Sequence, residues 1–583
     1  MSRFHPYSRA KTLSYALFGV ALLSAANSFA AVSQSPLSLT VGVPPNMALT
    51  LDDSGSMRWA FAPDNVDGIH ATRRAKSSDF NPLYFNPSIS YDAPIVFDTN
   101  GTEQPLSTSY SAALLNGYKS TLGSIDLRSD YKVTWSYDLL SSQATTYGYS
   151  NTSNRLGENP AADFQVSVTR TTDGTSSAVT PAGITFSVTR STTTQSCGRR
   201  CTETVATCTA TASHANWANP IVASCSVADN TLTATLTRQG VPAYYYAYDA
   251  SLASGCTEAN ESCYRLHFVS SEQQQNFANW YSFYRNRALA TISAAALAFY
   301  DLSPSVRLTW QGLGNCKSFT GTDTTNCYNN SLKDYSPTHK GQLYAWLQNI
   351  NFNQTTYLPA AMKRAGEFYT TSTPWQKTPN GTGNTSLNTY ACRASYHILM
   401  TDGQWNSTTT MPSNFRHDAA TFNLPDGRAY SERKPYYDST NETLADLAMH
   451  YWATDLNPDL DNDLPAYTPF KSGDTTTDYW DARNDPATWQ HMTNFVMGLG
   501  LTESLNNANI PWAGGTFAGQ GYANLVAGTA TWPPASSGSA NNVYDLWHAA
   551  INSRGEFFSV DSPEAMVQAF DDILSRIADR KST

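Results

Sequence analysis

Short unbroken apolar runs alternate with stretches that place an apolar residue every three or four positions along much of this 583-residue chain. "PNMALTL" (45–51), "SVRLTW" (305–310), "ASYHILMTDG" (394–403), "WQHMTNFVMGLG" (489–500) and "EFFSV" (556–560) have the form of fully buried strands. Between them lie helical patterns. Residues 270–302 set Phe277, Trp280, Tyr284, Ala288, Ile292, Ala295 and Phe299 on one face, which predicts a single long amphipathic helix. Further helices are expected over 341–350, 357–369, 543–553 and 562–577, the last with Ser562 as cap and Pro563 at its first position. The stretch 439–456 opens with a capping box, Ser439 to Glu442, and buries Leu444, Leu447, Ala448 and Tyr451. Alternation of this kind predicts an α/β fold, a mostly parallel sheet with helices on both faces.

A different pattern fills 101–265. Strict alternation in "DFQVSVTRTT", "GITFSVTRST" and "NTLTATLTRQ" points to exposed antiparallel strands in a β-rich inserted region. The expected organisation is a leader at 1–30, a first strand and polar loop within 31–100, the insertion at 101–265, and the rest of the α/β domain at 266–583. An insertion of that size is expected to project from the rim that carries the polar loop and to offer a binding surface.

Composition narrows the compartment. In the leader, Arg3, Arg9 and Lys11 precede "LSYALFGVALLSAA" and the small residues "SFA" at 28–30, the form of a secretory signal peptide. Its removal takes the formal charge from -10 to -13. With no long basic run, a nucleic-acid partner is not expected, and no later segment is apolar enough for a membrane span. Nine cysteines follow the leader, at 197, 201, 208, 225, 256, 263, 316, 327 and 392. Export implies oxidation: spacing pairs Cys256 with Cys263 and Cys316 with Cys327. The four between 197 and 225 allow three pairings, and Cys392 is left over. Zinc is disfavoured at that cluster, which lacks paired CxxC spacing and nearby histidines.

Candidate chemistry lies where strands end. "LDDSGSM" (51–57) runs a strand into Asp52, Ser54 and Ser56, and "TDG" ends another at Asp402. Ligands of such sheets sit at the carboxyl ends of the strands. Thr356 stands at the head of a helix, where it can join them. Asp52, Ser54, Ser56, Thr356 and Asp402 supply oxygen ligands only, which suits Mg²⁺, or Ca²⁺ or Mn²⁺. Direct hydroxyl ligation with the carboxylates one shell out leaves the ion electrophilic, with a position open to a partner's acidic oxygen. "DLDND" (459–463) has Leu464 and Phe470 where an EF-hand needs Gly and an acid, so it reads as a solvated acidic loop. No enzyme is expected. "DDSGS" is similar to the aspartate strand of subtilisin-like proteases, but no His-Gly-Thr triplet exists, and "GTSS" (174–177) lies in the insertion.

The order strand-DxSxS, Thr loop, strand-TDG resembles the von Willebrand factor A-like (Rossmann-like) domain with its metal-ion-dependent adhesion site. More specifically, "LDDSGSM", "FNPLYFNPSISY", "ILMTDGQWN", "TLADLAMHYWATDLNPDL", "NDPATWQHMTNFVMGLG" and "DLWHAAINSRGEFFSVDSPEAMVQAF" resemble the N-terminal half of PilY-type type IV pilus tip-associated adhesins. The resemblance covers about 40–100 and 270–580; the family's C-terminal β-propeller lies outside it. It implies export to the periplasm and passage to the pilus tip, pilus assembly with minor pilins, and attachment to a host-cell or surface receptor bearing an acidic group. The alternative it leaves is a structural scaffold in pilus assembly without metal-mediated adhesion. The family's metal residues map onto Asp52, Ser54, Ser56, Thr356 and Asp402. Its Gly-Gly-Thr-Pro-Leu loop reads Gln-Thr-Thr-Tyr-Leu here (354–358), which keeps Thr355 as an alternative to Thr356.

Overall fold

The computed structural model describes residues 42–62, 72–131, 136, 139, 161–198, 201–236, 241–379 and 388–582. The segment 1–30, expected to be a signal peptide, lies outside the described residues.

Six strands form the central sheet: β1 (Asn46–Leu51), β2 (Arg307–Gly312), β3 (Lys333–Asp334), β4 (Ser395–Thr401), β5 (Met492–Leu499) and β6 (Phe557–Val560). Their spatial order is β3-β2-β1-β4-β5-β6. All neighbours are parallel except the short edge strand β3. Every residue of β1, β2, β4 and β5 is buried, as a sheet covered on both faces requires. Ala48, Leu399 and Val496 share one apolar cluster with residues of α4 (Leu358–Tyr369), α5 (Leu444–Ala453) and α6 (Asn542–Asn552). Met400, one step along β4, turns the other way. Its sulfur accepts from Thr291 of α2 (Arg287–Ala298), which also reaches Met566 of α7 (Pro563–Ser582). On this face too lies α3 (Pro337–Leu347), whose Tyr344 hydroxyl bonds to the Ala296 carbonyl of α2. Among the described residues no helix is long and apolar enough to cross a membrane.

A polar chain runs through this core. Gln311 of β2 donates to the Thr50 hydroxyl of β1 at 2.8 Å, and that hydroxyl meets His397 Nε2 of β4 at 2.7 Å. His397 Nδ1 lies 2.7 Å from the Asn494 side-chain oxygen of β5. Burial pushes the His397 imidazole down to about 4. These contacts form only in one register, so the chain fixes four strands against slippage.

Two expectations need correction. The helix expected over 270–302 is two, α1 (Gln274–Phe283) and α2. Asn286 takes an extended backbone and its side chain accepts from the Leu289 amide at 2.9 Å, a helix cap inside the apolar periodicity. The cap of α5 is not Ser439. The box is Thr443 with Asp446, because Glu442 sits at φ 66° and cannot continue a helix.

The Ser/Thr-rich region builds a second six-stranded sheet, all antiparallel. Its order in space is 165–169, 231–235, 221–228, 201–213, 185–198 and 174–179. Phe186, Val188, Ala210, Ala212, Leu232 and Ala234 are buried on its inner side. Disulfides join Cys208–Cys225, Cys256–Cys263 and Cys316–Cys327, which selects one partner within the cluster of four. The side chains of Cys197 and Cys201 lie outside the described residues. Cys392 is a free, half-buried thiol.

Candidate functional site

Register alone brings the two acid-bearing strand ends together. Leu51 pairs with Met400, so Asp52 comes level with Thr401 and Asp402 follows one step beyond. The Asp52 amide donates to Met400 O at 3.0 Å, carrying the ladder one residue past the strand. Asp52 Oδ2 accepts from the Thr401 hydroxyl at 2.7 Å, and Oδ1 from the Ser54 amide at 2.7 Å. The chain then turns through a single 3₁₀ turn, Gly55–Arg58, which places Ser56 over the same edge.

The hydroxyls of Ser54 and Ser56 are 3.0 Å apart, and Ser56 donates to Asp402 Oδ1 at 2.9 Å. Four of the five expected residues are therefore one hydrogen-bonded group. Thr356 lies on the adjoining loop, laced to both others. Gln354 O accepts from the Gly55 amide at 3.0 Å and Gln354 N donates to Asp53 O at 3.1 Å, while Asn406 N and the Ser407 hydroxyl donate to Thr356 O. Thr356 is buried and Thr355 exposed. Among the described residues, no hydrogen bond joins the Thr356 hydroxyl to the other four.

Asp53, between the expected ligands, has a different task. Its carboxylate accepts from the amides of Leu313, Gly314 and Asn315 at 2.8–2.9 Å and so pins the loop after β2. A Cβ at Gly312 would stand 2.5 Å from Asp53 Oδ2, so that approach needs glycine.

Sequence reasoning missed Arg287. Its buried guanidinium donates to Asp402 Oδ2 at 2.8 Å, to Phe61 O at 2.8 Å and to Ala62 O at 3.2 Å. The Asn286 cap is the signal that marks its position, since it starts a new helix pointed at this edge. The segment 58–62 is held close from the other side by Gly500 (φ 75°), where a Cβ would lie 1.8 Å from Ala62 O.

Burial, then the neighbouring charge of Asp402, pushes the Asp52 carboxyl up to about 8. Two carboxyl groups out of water at one sheet edge favour nearby positive charge, which Arg287 supplies to Asp402. The donor chemistry fits a hard cation. Ligands at right angles around Mg²⁺ stand about 3 Å apart, which matches the Ser54–Ser56 hydroxyl separation of 3.0 Å. Among the described residues no group of three or more His, Cys, Asp or Glu side chains is arranged to hold a metal.

Comparison with known proteins adds the following. The chain is 40% identical over 581 residues to the type IV pilus biogenesis factor PilY1 of Pseudomonas aeruginosa PAO1, and 39% identical over 579 residues to that of strain PAK. Each match takes in 97% of this chain and 41% of the relative, so the chain spans about two-fifths of the length of these proteins. No family model and no solved structure matches it.

Proposed function

We propose, on the premise that this chain is a homologue of the PilY1-type pilus biogenesis factors over nearly all of its length, that it serves type IV pilus biogenesis and adhesion at the pilus tip. In this reading it is exported, meets minor pilins at the tip, and binds an acidic group of a receptor through a metal-ion-dependent adhesion site. Ser54 and Ser56 are the direct ligands. Asp52 and Asp402 stand behind them, and Thr356 joins from the adjoining loop. A Mg²⁺ ion bound there supplies an electrophilic position for a partner's carboxylate oxygen. The sheet order, with a lone antiparallel edge strand and the acids at the carboxyl ends of the two central strands, supports a von Willebrand factor A-like reading.

One observation carries the proposal: two serine hydroxyls and two buried carboxylates, from segments 346 residues apart, form one contiguous group at that edge. Mn²⁺ titration of the purified chain, followed by calorimetry, tests it. The native chain is expected to bind one equivalent, and Ser54→Ala to bind at least about tenfold more weakly, since a direct ligand is lost. Equal binding by both, or none by the native chain, would overturn the metal reading.

A second reading, a scaffold for pilus assembly with no adhesion through metal, draws on a specific feature. All four carboxylate oxygens of Asp52 and Asp402 already have protein donors. It predicts that a strain carrying Ser54→Ala keeps normal pilus number and attachment.

A further inference from the structure

The opposite edge of the parallel sheet, where β4 and β5 begin, holds a second buried group of charges. His491 Nε2 meets Asp485 Oδ2 at 3.0 Å, and Nδ1 meets the Trp489 carbonyl at 2.8 Å. Both partners can only accept, so both ring nitrogens carry a proton and the ring is an imidazolium. Burial opposes that charge, but the Asp485 carboxylate outweighs it and raises the His491 pKa. Asp485 also accepts from the Trp452 indole at 3.1 Å and the Thr493 hydroxyl at 3.3 Å. Arg580, in the last turn of α7, packs its guanidinium beside the Tyr467 and Phe495 rings and donates Nη2 to the Arg554 carbonyl. Its Nη1 stands 3.5 Å from Asp485 Oδ2 and makes no hydrogen bond among the described residues, although Arg580 is only 8% exposed.

Two cations thus share one carboxylate. Neither His491 nor Arg580 has another ion-pair partner among the described residues, and a buried surplus charge is costly. Beside them lies a cavity of about 30 Å³ whose lining includes Ser395, Tyr467, Asp485, His491, Thr493 and Arg580. It has room for about two water-sized groups, which suits a halide with one water and is too small for a five-atom oxyanion. We infer that this cavity is a binding site for a small monovalent anion, a halide such as chloride, which accepts from the free N–H of Arg580 and cancels the surplus charge. Bound there, the anion fastens the end of α7 to the amino edge of the sheet. The site lies across the sheet from the serine turn and does not depend on the metal reading.

Chlorine NMR line broadening by the purified chain, in gluconate buffer of constant ionic strength, tests it, with urea unfolding as the check on folding. The native chain is expected to broaden the chloride line saturably. Arg580→Gln removes both the donor and the surplus charge and should bind chloride at least about tenfold more weakly. Saturable binding of equal strength by a folded Arg580→Gln overturns the inference, and so does the absence of saturable broadening by the native chain. If Arg580→Gln does not fold, competition on the native chain decides. Bromide should displace chloride from the cavity, and sulfate at the same ionic strength should not. Displacement by sulfate as readily as by bromide would place the chloride on the open surface and overturn the inference, as would failure of bromide to displace it.

Discussion

Among the described residues the protein carries two six-stranded sheets that answer to opposite rules. In the parallel sheet all of β1, β2, β4 and β5 is buried, and the interior includes hydrogen-bonded polar groups: Gln311, Thr50, His397 and Asn494 in a line, and Asp52, Asp402 and Arg287 at one edge. In the antiparallel sheet the inner side is apolar and the outer side is rich in hydroxyls, with Val179 and Val222 exposed among them. Thr175 faces Thr189 across one pair of strands and Ser167 faces Thr233 across another, both exposed, with side-chain contacts of 2.8 and 3.1 Å. Water can satisfy every outer hydroxyl of the second sheet. In the first, Gln311, Thr50 and His397 find their partners within the protein. The same residue types thus carry free energy in one sheet and almost none in the other, and the sheet with demanding interior chemistry is the one that ends in the candidate site.

The largest predicted effect strikes the edge of the parallel sheet. Asp402→Ala leaves Arg287 buried without its carboxylate, which should cost about 3–5 kcal/mol of unfolding free energy in urea titrations. Asp402→Asn keeps an oxygen for the guanidinium and should cost less. A loss below about 1 kcal/mol in Asp402→Ala would mean that the other partners of Arg287 suffice to hold it, and the contrast between the sheets would weaken at its strongest point.

A somewhat smaller effect comes from acid. His397 is held neutral with its pKa pushed down to about 4, against about 6.5 in an unfolded chain. Between those values the unfolded state binds a proton that the folded state refuses, so stability falls as pH drops from about 6.5 toward 4. The shift corresponds to about 2–3 kcal/mol lost by pH 4.5. His397→Gln lacks the titrating ring, so its deficit relative to the native chain should shrink by that amount between pH 7.5 and 4.5. Urea unfolding at both values reads the difference, and a deficit that stays constant would mean the ring is already solvated in the folded state.

Much of this was legible in the chain and some of it was hidden for identifiable reasons. The parallel strands stood out because strands covered on both faces must be apolar throughout, as "NMALTL" and "MTNFVMGL" are. Asp52 and Asp402 could be placed at one edge because each follows such a run directly. Arg287 was hidden by periodicity. Tyr284 and Ala288 fit one continuous helical face, and that fit masked the Asn286 cap between them. The polar chain was hidden because Thr50 and His397 sit singly in apolar runs, and only the pairing of strands 347 residues apart shows that they meet. Cys208 needed the fold as well. Spacing allowed three pairings, and the antiparallel register between 201–213 and 221–228 brings it opposite Cys225, with Cα atoms 5.7 Å apart.

The smallest effects make the sharpest test, because one chemical change can be run in opposite directions in the two sheets. Thr50→Val removes a hydroxyl and keeps the shape. It strips a partner from both His397 Nε2 and the Gln311 amide, and unsatisfied buried groups cost about 1–3 kcal/mol. Val222→Thr adds the hydroxyl at a residue 83% exposed on the outer face of the antiparallel sheet, paired in register with Thr211. Both residues are β-branched and suit a strand equally, so this change should stay within about 0.5 kcal/mol. Urea unfolding of the two variants measures both. Should Val222→Thr cost as much as Thr50→Val, the outer hydroxyl face is not simply solvated, and the division between the two sheets would have to be redrawn around whatever covers it.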